Sequence, residues 1–131
     1  MVTAFADVVT AIRAAIAAHA QAEDDGRVDD LVAMYHPRGC LEIPGVGPVD
    51  GADALRTVFA GAAPTTPQLH AVVNTLVHEW SDHEAHAASD VALLNKTDAG
   101  WLVQAISRYH DTFELVDGTW LIRRRVVDSV G

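Results

Sequence analysis

The sequence predicts an α+β domain, with three N-terminal helices laid on one face of a sheet of long antiparallel strands. Up to Pro64, apolar residues recur at spacings of three and four, the period of a helix. From Gln68 onward they collect in long runs rich in Val, Leu, Ile, Trp and Thr, broken by short polar turns. Helices first and strands later is the α+β order. At 131 residues, 50% apolar and 21% charged, the chain has the size and composition of one packed domain spanning 1–131. That composition excludes intrinsic disorder and a disulfide-stapled miniprotein.

The first helix is expected over residues 3–22. Phe5, Val8, Val9, Ile12, Ile16 and Ala20 form one apolar stripe. Thr3 is its expected N-cap, and Gly26 is its left-handed stop. His19 lies on the same stripe, so it points inward. Asp24 lies at the stripe's margin. Residues 28–36 read as a second, short helix with Leu31, Val32 and Tyr35 on one side, ended by Pro37. Cys40-Leu41-Glu42-Ile43 is a short strand, and Pro44 to Pro48 a turn-rich break. Asp50 is the expected N-cap of a third helix that buries Leu55, Val58 and Phe59 and closes between Gly61 and Pro64.

Four strand-like runs follow: Gln68–Ser81, His83–Lys96, Gly100–Glu114 and Thr119–Asp128. The last turn holds Asp117-Gly118, a strong hairpin signal. The runs are about twice the ~5–6 residues of an ordinary strand. Such a sheet is expected to twist and coil strongly, so that helices on its concave face enclose a hollow of ligand size.

The formal charge is −9, from 9 Lys+Arg against 18 Asp+Glu. An acidic surface argues against nucleic acid and anionic membranes as partners. Arg123-Arg124-Arg125 is too short to reverse that. The start of the chain has no basic region followed by an apolar core, and no run is long and apolar enough to span a bilayer. The single cysteine, Cys40, cannot form an internal disulfide, which fits a reducing compartment. A cytoplasmic protein is the expectation. Seven histidines accompany a single lysine, Lys96, and histidine is the side chain that titrates near neutrality.

Several landmarks share an order with a known family. Asp24-Asp25-Gly26-Arg27-Val28-Asp29 follows the first helix. Pro48-Val49-Asp50-Gly51 precedes the third. Leu69-His70 with Asn74, then Ser107-Arg108-Tyr109-His110-Asp111, then Asp117-Gly118-Thr119-Trp120 through Arg125 mark the strands. Together they resemble the SnoaL-like branch of the NTF2-like superfamily over almost the whole chain. The resemblance implies an NTF2-like cone, a strongly curved antiparallel sheet with the three helices on its concave face. It is much less specific for activity, because that fold hosts many unrelated functions.

Members resembling scytalone dehydratase, bile-acid dehydratase and the dehydrochlorinase type pair an aspartate with a histidine. On this sequence those positions are Asp24 and His70. The pairing also makes physical sense. A carboxylate on one imidazole nitrogen fixes the tautomer and leaves the other nitrogen as a base. A lone strand histidine more often just satisfies itself on a backbone carbonyl, and an acidic residue at a helix end is more often solvated, as Asp25 is expected to be. Arg125 falls where these relatives carry a pocket arginine able to bind a carboxylate, carbonyl or leaving group. Strand alternation turns Arg124 away from Arg123 and Arg125. His19 stands where the relatives carry a tyrosine or lysine. The second tyrosine of the dehydratase-like sites has no counterpart in Leu41-Glu42-Ile43. His110 shares strand parity with Ile106 and Leu102, and faces either the hollow or the sheet surface. Tyr35 and Tyr109 are ordinary core aromatics by type.

The expected set is therefore catalytic Asp24 and His70, with His19, Tyr35, Asn74, His110 and Arg125 as substrate contacts. No metal is expected. His83 and His86 differ by three and fall on opposite strand faces, so His78, His83 and His86 read as solvated hairpin residues. No cofactor is implied, because the proton shuttle is complete in side chains. The expected function is a small-molecule lyase or isomerase acting on an apolar or ring-type molecule. The alternative is a non-catalytic binding or dimerisation module. A homodimer is expected through the outer sheet face, assigned to Val73, Val77, Val91, Leu93, Val103 and Ala105.

Overall fold

In a computed structural model, which describes residues 4–131, the N-terminal stripe forms helix α1 (Phe5–Asp24). Thr3, the expected cap, lies outside the described residues. Val8, Ile12 and Ile16 are buried along the stripe, and Gly26, at φ +67°, turns the chain out of the helix. The helix runs on through Asp24, which carries both Glu23 and Asp24 to the sheet. Phe5 is half exposed and rests on Trp80, ring centroids 5.4 Å apart.

Helix α2 spans only Val28–Ala33, and Tyr35 and His36 already belong to strand β1 (Tyr35–Ile43). The helix expected over 28–36 is therefore shorter, because the Ile122 N–H donates to the Met34 carbonyl and draws the chain into the sheet. Pro37 falls where pairing slips between Tyr35 and Cys40, so its missing N–H leaves no ladder bond unmade. Gly39 is required there, since a Cβ would sit 2.8 Å from the His36 carbonyl oxygen. The expected turn-rich break holds a short edge strand, β2 (Gly47–Asp50), paired with β1. Asp50 then precedes helix α3 (Gly51–Gly61) in an extended conformation, but its side chain makes no capping bond.

The four long runs become β3 (Gln68–Trp80), β4 (Glu84–Thr97), β5 (Gly100–Val116) and β6 (Thr119–Ser129). Each pairs antiparallel with the next. The sheet is nevertheless mixed. Its order is β2-β1-β6-β5-β4-β3, and β1 joins β6 in parallel. It is open at both edges and curls only weakly, which corrects the expected strongly curved, purely antiparallel cone. The three helices do lie on one face. α1 packs against β3 and α3 against β1, over a core that includes Leu31, Leu41, Leu55, Phe59, Phe113 and Ile122. No described helix is long and apolar enough to cross a membrane.

Bulges decide which side chains face the helices. The β3–β4 register slips between Val73 and Leu76, and the β4–β5 register slips where Leu93 pairs Ala105 but Leu94 pairs Val103. Each slip exchanges the two faces of a strand. Beyond these bulges Val77 and Ala105 face the helices, and Val91 and Leu93 share the inward side of β4 with the buried Ala85, Ala87 and Ser89, which corrects the assignment of all four to the outer face. Val73 and Val103 do lie outside, at 52% and 60% exposure.

Candidate functional site

Between α1, α3 and the inner face of β3–β6 lies a cavity of about 220 Å³. Its walls are mostly apolar, with Leu41, Val58, Phe59, Val91, Leu93 and Val127 among them. Into it project His19, Glu23, His70, Ser107, Tyr109 and Arg125. A mostly apolar concavity with a few convergent polar groups is the ordinary form of a small-ligand site.

The end of α1 and the start of β3 are tied together by Asp24. Its carboxylate accepts the backbone N–H of His70 at 2.9 Å and the Gln68 amide at 3.3 Å. Its Oδ1 lies 2.7 Å from His70 Nδ1. With so many donors the carboxylate is held as an acceptor, so Nδ1 carries the proton and Nε2 is the nitrogen turned to the cavity. Both side chains are 11% exposed.

Deeper in, His19 is fully enclosed. Its Nδ1 lies 2.8 Å from Glu23 Oε1 and its Nε2 lies 3.1 Å from the Tyr35 hydroxyl. Burial and the nearby Arg125 charge lower its pKa below 6.5, so the ring is neutral. Burial raises the Tyr35 pKa far above its usual 10, which keeps the phenol a donor. Arg125 Nη1 also lies 3.2 Å from His19 Nδ1, so this one nitrogen stands between the Glu23 carboxylate and a guanidinium donor. Burial alone would raise the Glu23 pKa, but the His19 hydrogen bond and the electrostatic pull of His19, His70 and Arg125 together outweigh it, and the carboxyl ends below its usual range. Glu23 Oε2 also lies 3.5 Å from His70 Nε2.

Arg125 is buried on β6, opposite Asp111 on β5. Its Nε and Nη2 donate to the two Asp111 oxygens at 2.7 and 3.0 Å, and its guanidinium stacks 4.0 Å from the Tyr109 ring centroid. Burial would lower its pKa, yet Asp111 more than compensates and the charge is locked in. Burial likewise raises the Tyr109 pKa. Arg125 thus lines the cavity with its charge already matched, which leaves less of it for an anionic substrate than its sequence position implies.

Of the expected residues, His70, His19 and Arg125 line this cavity, with Asp24 standing behind His70 and Tyr35 behind His19. Two do not join them. Asn74 sits at the β3 bulge with φ +54° and donates to Asp90 outside the cavity, because the bulge turns it outward. His110 takes the surface alternative. It lies outside, 3.0 Å from Asp128, since β5 alternation aims Tyr109 and Asp111 inward instead. Arg123 does not share the face of Arg125 either. It occupies a slip in the β5–β6 register and donates to the Arg38 carbonyl. Among the described residues, no group of three His, Cys, Asp or Glu side chains is placed to hold a metal ion. His86 is held by Glu84 and Thr112.

A model of the SnoaL-like domain matches residues 5–126. The chain belongs to the SnoaL-like domain family. Solved structures give this SnoaL-like domain its fold name. One is an NTF2-like protein with a cystatin-like fold from Novosphingobium aromaticivorans, 18% identical, TM-score 0.84, covering 92% of this chain and 80% of that one. Rv3472 of Mycobacterium tuberculosis, described as of unknown function, is 21% identical with TM-score 0.87, over 93% and 76% of the two chains. A Novosphingobium aromaticivorans protein provisionally called a scytalone dehydratase is 20% identical with TM-score 0.83, over 94% and 84%. No curated protein matches the sequence. At these identities the likeness is one of fold.

Two residues of this SnoaL-like site escaped the sequence reading. Glu23 opens the acidic run Glu23-Asp24-Asp25, and its spacing of four from His19 puts both on one helix face. Asp111 appeared only as part of a strand motif. Its alternation with Tyr109 and Phe113 was the available sign that it points inward.

Proposed function

We propose that this chain is a cofactor-independent lyase or isomerase acting on a small apolar or ring-type molecule. The observation that carries the reading is the 2.7 Å contact of Asp24 with His70 Nδ1, which leaves Nε2 facing an apolar cavity. His70 is the general base. Nε2 takes a proton from a substrate carbon, and Asp24 stabilises the imidazolium that forms. The electron pair left on carbon either expels a leaving group, which is elimination, or accepts the proton back elsewhere, which is isomerisation. His19 and Tyr35 hold the back wall in one hydrogen-bonded arrangement, and Arg125 with Tyr109 shapes the side.

The test is turnover of ring hydroxy-ketones by His70→Gln and Asp24→Asn. Both are expected to fold as the parent does. His70→Gln is expected to lower kcat by about 10²–10⁴-fold, the contribution of a positioned general base. Equal turnover by parent and His70→Gln sinks the assignment. A second reading, a non-catalytic binding or dimerisation module, is favoured by the apolar outer face, where Leu76, Trp101, Val103 and Ile106 are exposed. It predicts no turnover by the parent and unchanged ligand affinity in His70→Gln. We also infer that this outer face pairs with a second copy of the chain.

A further inference from the structure

Glu23 has no task in the proton transfer just described, yet it is the only carboxylate of the cluster that faces open space. Asp24 is saturated by donors from β3, and Asp111 is fully engaged by Arg125. Glu23 uses Oε1 for His19 Nδ1, and its Oε2 has only His70 Nε2 at 3.5 Å, beyond an ordinary hydrogen-bond distance. With Nδ1–H donating to Asp24, both Oε2 and Nε2 are acceptors and cannot satisfy each other. The Glu23 side chain is 20% exposed. Glu23 and His70 also line a second, smaller cavity of about 130 Å³ on the Gly26 and Gln68 side. Space therefore lies on both sides of the pair, and a ligand can bring a donor to it.

We propose that Glu23 is the substrate-anchoring residue of the site, accepting a hydrogen bond at Oε2 from a hydroxyl of a neutral ring compound. This rests on the reading of His70 as base. Two acceptors 3.5 Å apart match two hydrogens on neighbouring positions of one molecule. The O–H goes to Glu23, and the C–H beside the hydroxyl-bearing carbon goes to His70 Nε2. The same carboxylate discriminates by charge. Glu23 and Arg125 both line the cavity, but Asp111 behind the wall already matches the Arg125 charge, so a ligand carboxylate meets the Glu23 charge in an apolar enclosure. The substrate class is therefore a neutral hydroxylated ring, and carboxylic acids are refused although an arginine lines the wall.

Binding of three bicyclic probes, measured by calorimetry on the full chain, tests this without requiring turnover. They are 2-naphthol, 2-methoxynaphthalene and 2-naphthoate. The parent is expected to bind naphthol about tenfold or more tightly than the methyl ether, the effect of one hydrogen bond to a charged acceptor, and to bind naphthoate least. Glu23→Gln removes the charge and keeps the shape. It is expected to lose most of the naphthol preference and to gain naphthoate binding, a gain that misfolding cannot produce. Equal affinity of the parent for naphthol and its methyl ether overturns the proposal, as does naphthoate binding by the parent as tight as naphthol. If Glu23→Gln does not fold, the parent's ranking of the three probes still decides. A chain that shows the expected ranking but turns nothing over sinks the base assignment and leaves the anchor standing.

Discussion

The two faces of the sheet solve opposite problems. The inner face buries polar groups in an apolar setting: His19, Ser89, Asp111 and Arg125 are nearly inaccessible, and among the described residues no buried side-chain polar atom lacks a partner. The outer face leaves apolar groups in the open, with Leu76, Trp101, Leu102 and Val103 each more than half exposed. Its charges sit around them as exposed pairs such as Arg124 with Glu42 and His110 with Asp128. Exposed pairs of this kind contribute little, about 0–1 kcal/mol. Enclosed ones are costly to break. The inner face is thus committed to one arrangement, whereas the outer face leaves its apolar groups open to solvent.

The largest effect is expected inside. Arg125→Met strands the Asp111 carboxylate in the core and is expected to cost about 3–5 kcal/mol in chemical denaturation. Adding Asp111→Leu is expected to recover much of that loss, since no charge is then left unpaired. A cost for Arg125→Met below ~1 kcal/mol would erase the distinction between the two faces.

A smaller effect comes with acid. The neutral His19 is enclosed by Glu23, Tyr35, Arg125 and Asp111, and its pKa in the fold is lower than its ordinary 6.5. Below pH 6.5 the unfolded chain binds a proton that the folded chain refuses, so stability falls as pH drops from there toward the lowered value. Glu23, lowered from 4.5, adds a further loss below that pH. The urea midpoint is expected to decline between about pH 7.5 and 5.5, and His19→Leu is expected to flatten that decline. An unchanged slope in His19→Leu assigns the acid sensitivity elsewhere.

The smallest effect on the fold is expected outside. Val103→Lys, at a site 60% exposed, is expected to leave monomer stability within about 0.5 kcal/mol. Its effect belongs to assembly. In sedimentation the parent is expected to run as a dimer and the variant to shift toward monomer. A monomeric parent would leave the exposed apolar face without its proposed partner.

Local pattern alone made the four long strands, α1, α3 and the inward turn of His19 readable, because a period of two or of 3.6 is written in neighbouring residues. The pairing of Asp24 with His70 was reached through a family resemblance together with the chemistry an imidazole needs. Nothing nearby in the sequence announced the parallel contact of β1 with β6, the extended path of Tyr35 and His36, or the bulges that turn Asn74 and Val103 outward. Each is set by a backbone partner far along the chain, such as Ile122 for Met34. The same limit hid Glu23 and Asp111. A carboxylate in an acidic run looks solvated until its neighbours in space are known, and only packing supplied the buried arginine and histidine that give these two their roles.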